Sequence, residues 1–228
     1  MHVIRRLLSD GRVRACGILF CLLLLVVGGI AWKTGITPGD LKSWWFSLNA
    51  YLVKNPWALF AALVILPGFP VPLSALLFTA GVVWRDQPAM ACLLSLAAIT
   101  LNLAWTYWAA AGPGRKVVEK LLVSTSVKIP DLPKGDHLKL ILILKLTPGI
   151  PHFFQNYLLG FLRVPFLLYL PVSIICNGVI GTGIVLSGVG LADGRLMPAL
   201  TGISLIAVGV VLTQLVRNWL ARRKQVAG

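Results

Sequence analysis

Two apolar runs in this chain are cut by proline where a membrane helix would have to continue, and those cuts limit the folds open to it. The clearer one lies in LKLILILKLTPGIPHFFQNYLLGFLRVPFLLY, residues 138–169, where about nine residues pass before Pro148, Gly149 and Pro151. At about 1.5 Å per residue such a run covers about half of a roughly 30 Å hydrocarbon core. Proline has no amide to donate, clashes with the carbonyl four residues back and pushes the residue before it toward extended backbone. Backbone opened at membrane depth leaves polar groups that cost several kcal/mol each, so it survives only where protein or a wet cavity covers it. A second short helix over about residues 152–161 would carry the chain back, which reads as a re-entrant hairpin over 138–163 with its tip near the midplane.

An earlier stretch repeats the pattern. Residues 57–66 form an apolar run, Pro67-Gly68-Phe69-Pro70-Val71-Pro72 cuts it, and residues 73–84 resume it, giving a hairpin over 57–84. The two cuts share Pro-Gly-(Phe/Ile)-Pro, and each hairpin precedes a full-length apolar span, at 89–111 and 166–190. The second span is softly interrupted by Pro171 and the glycine-rich run 178–183, whose small residues let neighbouring helices come close.

Composition supports a membrane rather than an aqueous fold. The chain is 57% hydrophobic and only 12% charged, against about 25% charged in soluble domains. All seven acidic residues, Asp10, Asp40, Asp86, Glu119, Asp131, Asp136 and Asp193, fall between apolar runs. Hydrolysis by general acid and base or by a metal needs carboxylates or histidine pairs at the site, and the spans hold none. GxSxG, HExxH and P-loop patterns are absent as well. The expectation is therefore a non-enzyme without cofactor or metal, with Glu119 and Asp136 near the mouth as the remaining acid candidates. The net charge of +14 flanks the spans instead of forming a basic domain, which points to topology and anionic lipid, not nucleic acid. Cys16, Cys21, Cys92 and Cys176 lie in apolar runs and read as small buried hydrophobes.

In chain order, residues 1–36 hold a basic segment and a first span over 16–32, read as an uncleaved transmembrane helix. A signal peptide ending at Gly29-Ile30-Ala31 shares its grammar. Thr37-Pro38-Gly39-Asp40 signals a helix start. The helix it opens, over 37–55, reads as interfacial, with Trp44 and Trp45 at headgroup level, or as an ordinary packing helix. Residues 37–190 form the core, including a polar segment over 115–136 whose start is amphipathic, and residues 191–228 carry the last span and a basic cytoplasmic tail. If both hairpins return to their own side and the N-terminus is cytoplasmic, only Lys33, Lys42, Lys54, Arg85 and Arg195 of the 21 basic residues lie outside. The positive-inside rule favours that arrangement. It predicts an all-α integral membrane bundle whose two hairpins are oppositely oriented, an inverted repeat. Half-helix N-termini would then present unpaired amides to the centre, where anions are the natural guests.

Lys145, in a run otherwise of Leu and Ile, either meets an incoming anion or snorkels to the cytoplasmic face. His152 stands at the second tip as a donor to phosphate, a proton acceptor or a structural residue, and Gln155, Asn156 and Tyr157 offer neutral hydrogen-bonding groups one turn on. Arg163 either grips lipid phosphate at the mouth or marks the interface. Pro67, Gly68, Pro70, Pro148, Gly149 and Pro151 shape the breaks.

Lys145-Leu146-Thr147-Pro148-Gly149-Ile150-Pro151-His152-Phe153-Phe154-Gln155-Asn156-Tyr157, continued by Gly160, Val164 and Tyr169, resembles the signature of the VTT-domain (SNARE-associated) branch of the DedA superfamily. Pro67, Gly68, Pro70 and Gly81 are similar to that family's earlier re-entrant segment, so the resemblance covers about residues 57–190 and adds Gly81 and Gly160 to the groove-shaping positions. It implies movement of phospholipid or polyprenyl-phosphate headgroups across a bacterial cytoplasmic membrane, with anionic membrane lipids as partners; a homo-oligomer is left open. Where the family's pattern has arginine this chain has Lys145, and it lacks the intramembrane acids that DedA proteins proper use with protons. A small-solute transporter using the same cavity and a non-transporting scaffold are the alternatives.

Overall fold

A computed structural model describes residues 33, 35, 37–112, 114–115, 137–147, 150–194 and 196–226, with side chains only to residue 216 in the last stretch. The first span expected over 16–32, residues 116–136 of the second polar segment, Pro148, Gly149 and Arg195 lie outside the described residues. The chain divides into two compact units, Met1–Ala50 with Val118–Asp131 and Tyr51–Val117 with Leu132–Gly228.

The first described helix, α1 (Pro38–Lys54), begins at the expected signal. The Thr37 amide donates to Asp40 Oδ2 at 2.8 Å, and the Asp40 amide donates back to Thr37 Oγ1 at 3.2 Å. This reciprocal capping box satisfies two amides that the helix leaves open. Hydrogen bonds from Thr37, the side-chain one foremost, hold the Asp40 carboxyl below its ordinary range. Leu41, Trp44, Phe46, Tyr51 and Val53 along the helix are exposed.

Every described element of the second unit is a helix. Helices α2 (Pro56–Ile65) and α3 (Leu73–Val83) are separated by a 3-10 turn over Leu66–Gly68, and α4 (Pro88–Ala111) follows. Helices α5 (His137–Leu146) and α6 (His152–Phe161) come next, then α7 (Phe166–Asp193) and α8 (Leu196–Val226). Among the described residues three helices are long and apolar enough to cross a membrane: Pro88–Ala111, Phe166–Asp193 and Leu196–Val216. By contrast α2, α5 and α6 have ten residues each and α3 has eleven, rising about 15 Å at about 1.5 Å per residue. Both short pairs part where the sequence places its prolines. The soft interruption expected in the second full span is not a break: α7 runs continuously through Pro171, and its glycines serve packing.

Each short second helix packs mainly on the long helix that follows the other pair, α3 on α7 and α6 on α4. Glycine permits both approaches. A Cβ at Gly81 would overlap the Val185 carbonyl, and one at Gly160 would overlap the Tyr107 carbonyl. Gly81 and Gly160 are each the ninth residue of their helices. The core between them holds Leu59, Leu76, Ile99, Leu103, Leu159 and Val185. Helix α8 rests on α7 through small residues, Gly202 on Ser187 and Ala199 on Gly190. Its outer face exposes Leu196, Met197, Leu200, Ile203 and Val208, a surface that suits hydrocarbon and not water.

Candidate functional site

Where α2 stops at its prolines, the carbonyls of its last turn lose their helical partners. The Val64 carbonyl finds two replacements on α4: Asn102 Nδ2 donates to it at 2.8 Å and Trp105 Nε1 at 2.7 Å. Gly68 makes room for this, because any Cβ there would overlap the Trp105 ring. Pro67 and Gly68 are buried, whereas Pro70 is exposed.

Asn102 is fully buried, and its other end reaches the second break. Its Oδ1 lies 3.3 Å from His152 Nε2, which in turn lies 3.1 Å from Asn156 Nδ2. Asn156, also fully buried, turns Oδ1 to Lys145, whose Nζ donates to it at 2.6 Å. The ammonium sits 5.7 Å from the centre of the Tyr169 ring, within range of a cation–π attraction. The Tyr169 hydroxyl donates to the Leu103 carbonyl at 3.3 Å. A continuous polar path therefore runs from the last turn of α5, through the first turn and a half of α6 and the middle of α4, to the end of α2.

Lys145, His152 and Asn156 are thus brought together as neighbours. Tyr157 stands beside them, its ring edge-on to Trp105 at 6.4 Å. Gln155 turns away to the break itself, donating to the Ile150 carbonyl at 3.0 Å. Pro151 precedes the first residue of α6 with φ −59° and ψ 143°, the extended geometry that starts the helix. Arg163 is not part of the cluster. It lies eleven positions beyond His152, about 16 Å along the axis at about 1.5 Å per residue, and its side chain is exposed. Its φ is +51°, and the Arg163 and Val164 amides donate to the Gly160 and Leu159 carbonyls at 3.0 and 3.2 Å. That is a Schellman ending with arginine where glycine is usual. At the same end Arg115 donates to the Phe161 carbonyl at 3.0 Å, and the Tyr107 hydroxyl donates to the Val164 carbonyl. Gly81 and Gly160 are helix-crossing positions, away from the polar path.

Sequence reasoning missed the part played by Asn102 and Trp105. Asn102 was visible as a polar residue inside an apolar span, a position that favours interhelical hydrogen bonding. Nothing in the sequence pairs it with Val64 or His152. Among the described residues the path contains one formal charge, Lys145, and no carboxylate pairs with it; the described ion pair, Arg85 with Asp193 at 3.3 Å, joins the C-terminal ends of α3 and α7. A cation held only by neutral groups and an aromatic face can accept an anionic partner without first breaking an ion pair.

No curated protein and no solved structure matches the chain. The VTT domain matches residues 71–190, a stretch that begins at the end of the first proline break and takes in the whole of the second. With more than half of its 228 residues inside that match, this multi-pass helical membrane protein belongs to the VTT-domain family, the SNARE-associated group of DedA proteins.

Proposed function

We propose that the protein lets the anionic headgroup of a membrane lipid cross the bilayer along a polar groove between two re-entrant hairpins, α2–α3 and α5–α6. In this reading the hairpins enter from opposite sides as an inverted repeat, and their tips meet near the midplane. The exchange of partners between the halves, α3 on α7 and α6 on α4, supports it, since a two-fold axis in the membrane plane generates such reciprocal contacts. The placement of glycine at the ninth residue of both α3 and α6 supports it too.

The observation that carries the reading is Lys145. An ammonium within a helix of ten residues, bonded to a neutral amide, is costly in hydrocarbon, by about 2.5–3.5 kcal/mol on insertion scales. A headgroup phosphate offsets that cost only while it passes, which gives transient binding instead of a permanent pair. Lys145 would hold the phosphate, His152, Asn156 and Tyr157 would offer hydrogen bonds, and Arg163 would meet headgroups at the cytoplasmic mouth. Pro67, Gly68, Pro70, Pro148, Gly149 and Pro151 would shape the groove. The excess of basic residues on one side of the spans supports cytoplasmic termini, and in this reading the membrane is a bacterial inner membrane.

The test is headgroup translocation in liposomes, with labelled phospholipids and, separately, a polyprenyl phosphate. Wild type should move at least one of them well above protein-free liposomes, and folded Lys145→Ala should fall to background. Wild-type rates equal to those of protein-free liposomes, with and without a pH gradient, would sink the reading in favour of a solute transporter or a scaffold.

A further inference from the structure

Two amides in the polar path have their orientation fixed from outside. Lys145 only donates, so Asn156 must turn Oδ1 toward it and Nδ2 toward His152. The Val64 carbonyl only accepts, so Asn102 must turn Nδ2 toward it and Oδ1 toward His152. A donor at 3.1 Å and an acceptor at 3.3 Å therefore face the same ring nitrogen, His152 Nε2. One nitrogen does not accept and donate at once.

The two ways of resolving this conflict differ in what they connect. With the proton on Nδ1, Nε2 accepts from Asn156, and the bond stays inside α6. With the proton on Nε2, the ring donates to Asn102, and α6 is fastened to α4 and through Asn102 to the end of α2. We propose that Asn102 is a positioning residue which, opposed by Asn156, sets the His152 tautomer and so decides whether the second break is tied to the first. The change takes up a proton from groove water at Nε2 and returns one from Nδ1, with no net change in charge.

The Nδ1–H form uses the 3.1 Å contact to Asn156 and the Nε2–H form the 3.3 Å contact to Asn102. An anion on Lys145 would release Asn156 Oδ1, free that amide to rotate, remove the donor facing Nε2 and leave the ring to Asn102. Occupancy would thus fasten the two breaks together. That consequence rests on the transport reading above; the competition for Nε2 does not.

The experiment is nitrogen-15 NMR of histidine-labelled full-length protein in lipid bilayers. His2 and His137 are replaced by Gln so that one ring remains. Asn102→Leu removes the acceptor and should leave His152 wholly protonated on Nδ1. Asn156→Asp puts an acceptor between Lys145 and the ring and should leave it wholly protonated on Nε2. Each variant decides alone: Nε2–H in Asn102→Leu, Nδ1–H in Asn156→Asp, or one tautomer shared by both, overturns the assignment. Headgroup translocation is measured on the same wild-type sample. Tautomers that split as stated in a protein that moves no lipid would refute the transport reading and leave Asn102 in its role.

Discussion

Replacing Lys145 by methionine separates a transport lysine from a structural one, because the two predict opposite balances of stability and activity. The substitution keeps the unbranched stem and removes the charge. Removing an ammonium from hydrocarbon recovers about 2.5–3.5 kcal/mol. Against this stand the hydrogen bond to Asn156, about 1.5–3 kcal/mol for a charged donor, and the contact with the Tyr169 ring, about 0.5–2 kcal/mol. At mid-range the terms cancel to within about 1 kcal/mol, so thermal unfolding in detergent should shift by no more than about 4 °C for a chain of this size. Translocation should respond very differently. Losing a charge-assisted bond to phosphate, about 1.5–3 kcal/mol, slows passage roughly 10- to 100-fold at about 1.4 kcal/mol per tenfold. Lys145→Arg keeps the charge and should stay within a few-fold of wild type. The reasoning is refuted if Lys145→Met moves lipid within about twofold of wild type, or if it unfolds some 10 °C lower, which would make Lys145 a strut of the fold.

Gly81→Ala and Gly160→Ala would each gain about 1 kcal/mol from helix propensity alone, yet both place Cβ onto a backbone carbonyl at a typical cost of about 1–3 kcal/mol. Both should lower the unfolding midpoint, and only Gly160→Ala, which pushes α6 off α4 and stretches the His152–Asn102 contact, should also slow translocation more than about fivefold. Arg163→Gly relieves a left-handed residue and should raise stability by about 1 kcal/mol, read as a higher midpoint, while weakening headgroup capture at the mouth. For Asp40, whose folded carboxyl is held below the ordinary 3.8, the cap is fully present above pH 3.8 and is lost as pH falls through the lower folded value. Thr37→Ala should move the Asp40 midpoint back up in an NMR titration, and an unmoved midpoint would refute the capping box.

Much of the architecture was legible because proline acts locally. The breaks after Ile65 and Leu146 and the start of α6 follow from residues that lack an amide and fix φ, and no partner is needed to read them. The start of α1 was legible for the same reason, since Thr37 and Asp40 are three positions apart. The site was only half legible. Lys145, His152 and Asn156 lie within a dozen positions of one another, so their cluster follows from one break and one helical turn. Asn102 stands 38 positions from Val64 and 50 from His152, and its role depends on which face α4 turns inward. An apolar helix with little amphipathic pattern does not encode that face. The glycines of α7 were half legible: the expected soft interruption is absent because the helix is continuous, while the expected close approach of neighbours is met where the missing side chains admit α3 and α8.

The two breaks are built from the same tetrapeptide and yet are chemically unequal, and α4 explains how they work as a pair. At the first break the Val64 carbonyl takes two side-chain donors, and the buried Gly68 lies against the Trp105 ring. That carbonyl faces donors only in these two contacts, which makes it a reference point. At the second break the cation has only neutral partners among the described residues, and one imidazole nitrogen faces both a donor and an acceptor, which in the proposed reading gives that end two arrangements. Asn102 touches both, holding the fixed break with Nδ2 and contesting the variable one with Oδ1. An incoming anion can bias an equilibrium only if the two arrangements differ in their affinity for it. In the proposed reading they do, because the donors that would bind the anion, Lys145 Nζ and Asn156 Nδ2, are the groups that otherwise hold His152 within its own helix.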